Sequence, residues 1–128
     1  MSITEGALWC VVPAAGRGTR FGSEAPKQYS MLAGEPLLVH TLRRLAAHPR
    51  IGGLMVALAA VDPHWPGLTE LSGKPVATCQ GGSLRAHSVL AGLRALRGRI
   101  AADAFVLVHD AARPCVRAAL SSRRDAQP

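Results

Sequence analysis

A chain of 128 residues is one domain at most, and its 48% hydrophobic content excludes a disordered polymer. Aromatic residues make up only 4%, so the core has to be assembled from Ala, Val and Leu, which suits a parallel sheet covered on both faces. The net charge of +7 raises nucleic acid as a partner, but thirteen of the fifteen cations are Arg, scattered from Arg17 to Arg124 without a long basic run or stacking aromatics among them. Neither a nucleic-acid nor a membrane partner is therefore expected. Cys10, Cys79 and Cys115 are odd in number and widely spaced, which excludes a disulfide framework or a CxxC zinc site. The N-terminus has no positive segment ahead of its apolar run, and no stretch reaches membrane-spanning length, so a cytoplasmic location is expected by elimination.

In chain order, the first feature is an apolar run, Leu8 to Val12, that reads as a buried strand with an inert thiol at Cys10. It breaks at Pro13 into a loop holding Gly16, Gly18 and Gly22 with Arg17, Arg20 and Lys27. Glycines let the backbone turn sharply and bring its N–H groups close to a ligand that a Cβ would push away. A strand that empties into a cationic, glycine-rich loop is how an open α/β sheet holds phosphate. Two familiar phosphate loops are excluded: no Lys follows a glycine in this loop as GxxxxGK[ST] requires, and the third glycine of GxGxxG arrives one residue late, at Gly22. Lys27 sits in Pro26-Lys27-Gln28, where the proline ring stiffens the chain. The competing reading is an ordinary glycine turn with solvated charges.

Gly34-Glu35-Pro36 then predicts a turn and a helix start, with Pro36 in the first turn, where its missing N–H is harmless. The helix spans Leu37 to Ala47, with Leu38, Leu42, Leu45 and Ala46 on one stripe and Arg43 and Arg44 near its C-terminus. His48-Pro49 ends it, and His40 and His48 are read as solvated or capping residues. Leu54 to Ala60 predicts a second buried strand. Asp62 to Gly67 is too rich in proline for regular structure, with a poor helical segment at best beyond it. Val76 to Cys79 predicts a third strand.

Gly81-Gly82-Ser83 is a second glycine turn, with Ser83 as N-cap of a helix from Leu84 to Leu96. Val89, Leu93 and Leu96 are expected on its buried face, with Ala86 and Leu90 beside it. Ser88, one turn in, is placed to present a hydroxyl to a ligand at the helix start; the alternative is a capped surface helix and nothing more. Phe105 to Val108 predicts the fourth strand, which delivers His109-Asp110-Ala111-Ala112-Arg113. An Asp at the end of a buried strand beside a phosphate loop is a natural Mg2+ ligand; the alternative is a structural Asp paired with Arg113. His109 is expected to pack or hydrogen-bond. From Arg117 the text loses any strand pattern. The fold class that follows is α/β, a Rossmann-like parallel sheet with its loops of interest at one edge.

Three stretches carry a resemblance: AAGRGTRFG with the following PKQY, GGSLRAHSVLAGL (Gly81 to Leu93) and VLVHDAARPCV (Val106 to Val116). In this order they resemble the 2-C-methyl-D-erythritol 4-phosphate cytidylyltransferase family, over Leu8 to about Val116. The resemblance implies an incomplete nucleotidyltransferase fold of about the first four strands. Residues 1–116 are its N-terminal part and residues 117–128 a divergent tail, expected to be disordered. It implies transfer of CMP from CTP to methylerythritol phosphate in the non-mevalonate isoprenoid pathway, with Mg2+ as cofactor. By the same resemblance Arg20 and Lys27 are the catalytic cations. Ala14, Ala15, Gly16 and Gly18 present backbone to the nucleotide, with Gly82, Ser83 and Ser88 near the cytosine. Asp110 holds Mg2+, and Arg113 faces the phosphate of the second substrate.

Ser83 and Leu84 depart from the family, which has an acidic pair there. The family's chain also runs on beyond Val116, through a third catalytic lysine and a homodimer arm. The chain is accordingly expected to be a fragment, a truncated product or a damaged copy, of marginal stability and little turnover by itself. Two further readings stay open: a nucleotide-binding fragment without turnover, and a nucleotidyltransferase for another polyol or sugar phosphate.

Overall fold

A computed structural model of the chain describes residues 8–16, 26–100 and 104–111. The expectations for Arg17, Gly18, Arg20, Gly22, Arg113, Cys115 and the tail 117–128 fall outside the described residues.

The first apolar run forms β1 (Leu8–Ala14), buried nearly throughout because it lies between two other strands. After it come a 3-10 turn (Lys27–Tyr29), a small hairpin of β2 (Met31–Leu32) and β3 (Glu35–Pro36), and helix α1 (Leu37–Ala47). The hairpin turn is Ala33-Gly34, both with positive φ, the combination a two-residue turn between antiparallel strands requires. Pro36 is consequently the N-cap of α1, in extended conformation, one position earlier than expected. The helix buries Leu38, Leu42, Leu45 and Ala46 as its periodicity predicts. It stops at His48, which Pro49 confines to extended backbone. His48 is a buried cap: its Nδ1 accepts the Arg50 N–H at 3.1 Å.

β4 (Ile51–Leu58) runs parallel to β1, in register from Cys10↔Leu54 to Ala14↔Leu58. No helix follows the proline-rich segment. Instead β5 (Glu70–Leu71) turns back antiparallel onto β6 (Lys74–Gln80) through Ser72-Gly73, again both at positive φ. β6 lies parallel to β4, longer than the third strand expected, and partial burial raises the thiol pKa of its Cys79. Helix α2 spans Arg85–Ala95, and β7 (Val106–Val108) pairs with the far side of β1.

The helix differs from its expected form in two respects. Its N-cap is Leu84, with no side-chain cap, so Ser83 lies outside it. Its sheet-facing line is Ser88, Gly92 and Leu96, whereas Leu90 and Leu93 are exposed. The reason is steric: a Cβ on Gly92 would lie 2.5 Å from Val11 Cγ1, so the helix backbone rides directly on the strand. Phe105, expected to begin the last strand, is 73% exposed and precedes it.

The sheet order is β5-β6-β4-β1-β7, which places the four parallel strands third, second, first, fourth in order of appearance. Strand alternation sends Cys10, Val12, Leu54 and Val56 to the face covered by α1, and Trp9, Val11 and Met55 to the other face with Leu96. This order reverses beside β1, and in open α/β sheets ligands bind outside the carboxyl ends of the strands at that reversal.

Candidate functional site

The strands β1, β4, β6 and β7 all point their carboxyl ends to one edge, where four loops meet. Two hollows occupy it, of about 360 and 460 Å3. They share Ala15 and Ala59 as a common floor. The first continues along Gly16, Pro26, Gln28 and Asp62–His64; the second continues along Gln80–Ser83.

Side chains tie these loops together. Gln28 is buried, and its Nε2 donates to the carbonyls of Ala14 at 2.9 Å and Gly16 at 3.1 Å. The neighbouring Tyr29 donates its hydroxyl to Asp62 Oδ2 at 2.6 Å. Burial first, then that hydrogen bond, pushes the Tyr29 phenol far above its ordinary range, so it remains a donor. Asp62 uses its other oxygen to accept the His64 N–H at 3.0 Å, which closes a turn, and the His64 ring lies 5.2 Å from the Tyr29 ring. The Asp-Pro pair that looked structureless is thus a fastened corner.

The second glycine turn is held from α2. Ser88 is 2% exposed, and its hydroxyl accepts the Gly82 N–H at 3.2 Å. A Cβ on Gly81 would lie 2.5 Å from the Ser88 hydroxyl and 2.7 Å from the Ala15 Cβ. Gly81 is therefore required by close approach, and it brings the first and second loops into contact. Ser88 acts in this geometry on the turn itself.

At the end of β7, Asp110 pairs with Arg85, the first residue of α2, at 3.0 Å. Both side chains are partly exposed, so the pair is weak and can be exchanged for other partners. Thr41, completely buried in α1, donates to the carbonyl of Ala111 at 2.9 Å and pins the turn that follows Asp110. His109 is buried, and its N–H extends the β1–β7 pairing by donating to the Val11 carbonyl at 3.1 Å.

The structure thus gathers Ala14, Ala15, Gly16, Gly82 and Ser83 around the shared floor, with Ser88 behind the turn. Lys27 is exposed between Pro26 and Gln28, two residues that line the first hollow. Asp110 stands apart from the linings of both hollows. Sequence reasoning missed Gln28, Thr41, Asp62 and Arg85. Only Gln28 carried a local signal, as an uncharged polar residue inside a basic motif.

A parallel sheet with this strand order, with two glycine-bearing turns meeting at its switch point, defines a Rossmann-like α/β protein, a class whose ligands bind at that edge. The chain belongs to the 2-C-methyl-D-erythritol 4-phosphate cytidylyltransferase family, whose model matches residues 8–127. It is 61% identical over 109 residues to the enzyme of that name from Xanthomonas campestris pv. campestris strain 8004, covering 85% of this chain and 41% of that one. It is 58% identical over 113 residues to that of Xanthomonas oryzae pv. oryzae strain PXO99A, covering 88% and 42%. The chain therefore spans about two fifths of the length of these curated relatives. Among crystal structures it resembles a 4-diphosphocytidyl-2C-methyl-D-erythritol synthase at 25% identity and a TM-score of 0.72, over 93% of this chain and 52% of that one. The cytidylyltransferase of Thermus thermophilus matches at 32% identity and a TM-score of 0.57, over 91% and 47%.

Proposed function

We propose that this chain carries the nucleotide-binding half of a cytidylyltransferase that moves CMP from CTP to 2-C-methyl-D-erythritol 4-phosphate. The observation that carries this reading is the junction of the Ala14–Gly16 turn with the Gly81–Gly82 turn over one floor, at the carboxyl edge of the sheet. An oxygen of the acceptor's phosphate attacks the α-phosphorus of CTP, the bond from that phosphorus to the oxygen bridging to the β-phosphate breaks, and pyrophosphate leaves with the bonding pair. Both reactants are anions, so the chain's contribution is to position them and to neutralise charge.

In this reading the backbone of Ala14–Gly16 meets the nucleotide, and Gly82 and Ser83 border the base. Lys27, with Arg20, places positive charge on the phosphoryl oxygens. Ser83 and Leu84, in place of the family's acidic pair, leave base recognition to backbone groups of the turn.

Asp110 would offer a magnesium ion one hard carboxylate oxygen at a strand end, in exchange for its exposed pair with Arg85. No cluster of three or more His, Cys, Asp or Glu exists among the described residues. Mg2+ suits such a place because it takes its remaining ligands from phosphates and water. Bound there, it would offset phosphate charge. Arg113 is assigned to the acceptor's phosphate.

Calorimetry with CTP and Mg2+ tests the reading. Binding of CTP well above that of ATP is expected, with Asp110→Asn removing only the Mg2+-dependent part of the affinity. No heat with CTP, or equal affinity for ATP, overturns it.

A further inference from the structure

We propose that Gln28 is a positioning residue that locks the first turn to the segment bearing Lys27, presetting both for a nucleoside triphosphate. The proposal rests on the nucleotide reading given above and adds to it a residue of the hollow's wall whose donor group is spent on the chain's own backbone.

A carboxamide nitrogen has two hydrogens, and Gln28 spends its donor group on two carbonyls that flank Ala15: Ala14 at 2.9 Å and Gly16 at 3.1 Å. Gln28 is 8% exposed, so these bonds are shielded from competing water. In a trans peptide the N–H points opposite to the carbonyl. Holding the Ala14 carbonyl therefore fixes the direction of the Ala15 N–H as well. Tyr29 fastens the same 3-10 turn on its other side, through Asp62. The turn is thus held at two adjacent residues, toward two different loops. Lys27 is its first residue, and the exposed one of the three.

The residue type is the informative part. A glutamate at this place would set a carboxylate against two carbonyl oxygens. A lysine or arginine would add its own charge beside the cradle. An asparagine is one methylene too short to reach both carbonyls. Glutamine joins loop to turn while leaving the charge of the site to Lys27. The gain is preorganisation: a turn and an ammonium already in place need not be ordered when the triphosphate arrives.

The test uses the 128-residue chain and two probes, CTP with Mg2+ and cytidine, which lacks the phosphates. Gln28→Met keeps length and neutrality and removes the donors. It is expected to weaken CTP about tenfold while cytidine changes by less than about twofold. In a Lys27→Ala background the Gln28→Met penalty on CTP should shrink to the part carried by the first turn, since coupled residues are not additive. Amide exchange at Ala15 and Gly16 should quicken in Gln28→Met with the melting transition kept. Equal loss for both probes, an undiminished penalty in the Lys27→Ala background, or unchanged CTP affinity overturns the proposal. If Gln28→Met does not fold, Gln28→Asn is measured in the same way, and failure of both to fold makes Gln28 a stability residue and overturns it too. An unaltered chain that binds neither probe instead overturns the nucleotide reading itself.

Discussion

Helices α1 and α2 each run for eleven residues, yet they meet the sheet through different chemistry. α1 inserts Leu38, Leu42 and Leu45, all 0–1% exposed, between itself and β1 and β4. α2 offers Ser88 and Gly92 and lets its backbone approach Val11. Its Leu90 and Leu93 remain 45% and 40% exposed. Large side chains hold helix and sheet apart and fill the gap with apolar contact, which secures the core. Small ones let a helix come close, which secures a position. α2 carries Ser88 to the Gly82 turn and Arg85 to Asp110, and both ties need its first turn near the strand ends. One helix serves cohesion and the other serves the site.

The largest expected effect lies in α1. Leu42→Ala removes a fully buried side chain and should cost about 3 kcal/mol, read as a lowered urea midpoint. A loss under about 1 kcal/mol would mean that the α1 face collapses easily and the contrast is false. Next comes Gly92→Ala. Overpacking against Val11 costs about 1–3 kcal/mol, against a helix-propensity gain of about 1 kcal/mol, so a net loss of about 1 kcal/mol is expected by the same measurement. A stabilised Gly92→Ala variant would show that the close approach is dispensable. The smallest effect is that of Leu93→Gln, within about 0.5 kcal/mol, because the residue is 40% exposed and belongs to neither core cluster. A large loss there would show that the outer face of α2 is covered in solution, which would sharpen the comparison in the opposite direction.

The difference between the helices also explains which parts were legible. In α1 every buried leucine follows a 3.6-residue period, and the period alone identifies the stripe. In α2 the leucines suggest a stripe that the structure does not use. Leu93 is turned about 100° from Gly92, and no rule about apolar spacing makes a glycine the centre of a buried face. A turn is legible at Gly34, but the short strands β2, β3 and β5 that make the two hairpins are not, for a related reason: each is two residues long, too short for alternation to register.

By itself the sequence determined the runs of the four parallel strands, the α1 stripe and the order of the three glycine- and Asp-bearing loops. Those depend on local properties, namely apolar runs, helical period and the freedom of glycine, and each is complete within a short stretch of chain. It also determined the resemblance, because motif order is linear. The tertiary structure decided which residues serve those loops. Gln28 reaches back 14 residues to Ala14, Tyr29 crosses 33 to Asp62, Arg85 crosses 25 to Asp110, and Thr41 crosses 70 to Ala111. The three longest ties join loops far apart in the chain, which end at one edge because β1 sits between β4 and β7. Strand order is a property of the whole sheet, and a polar side chain carries no mark of the partner that order will bring to it.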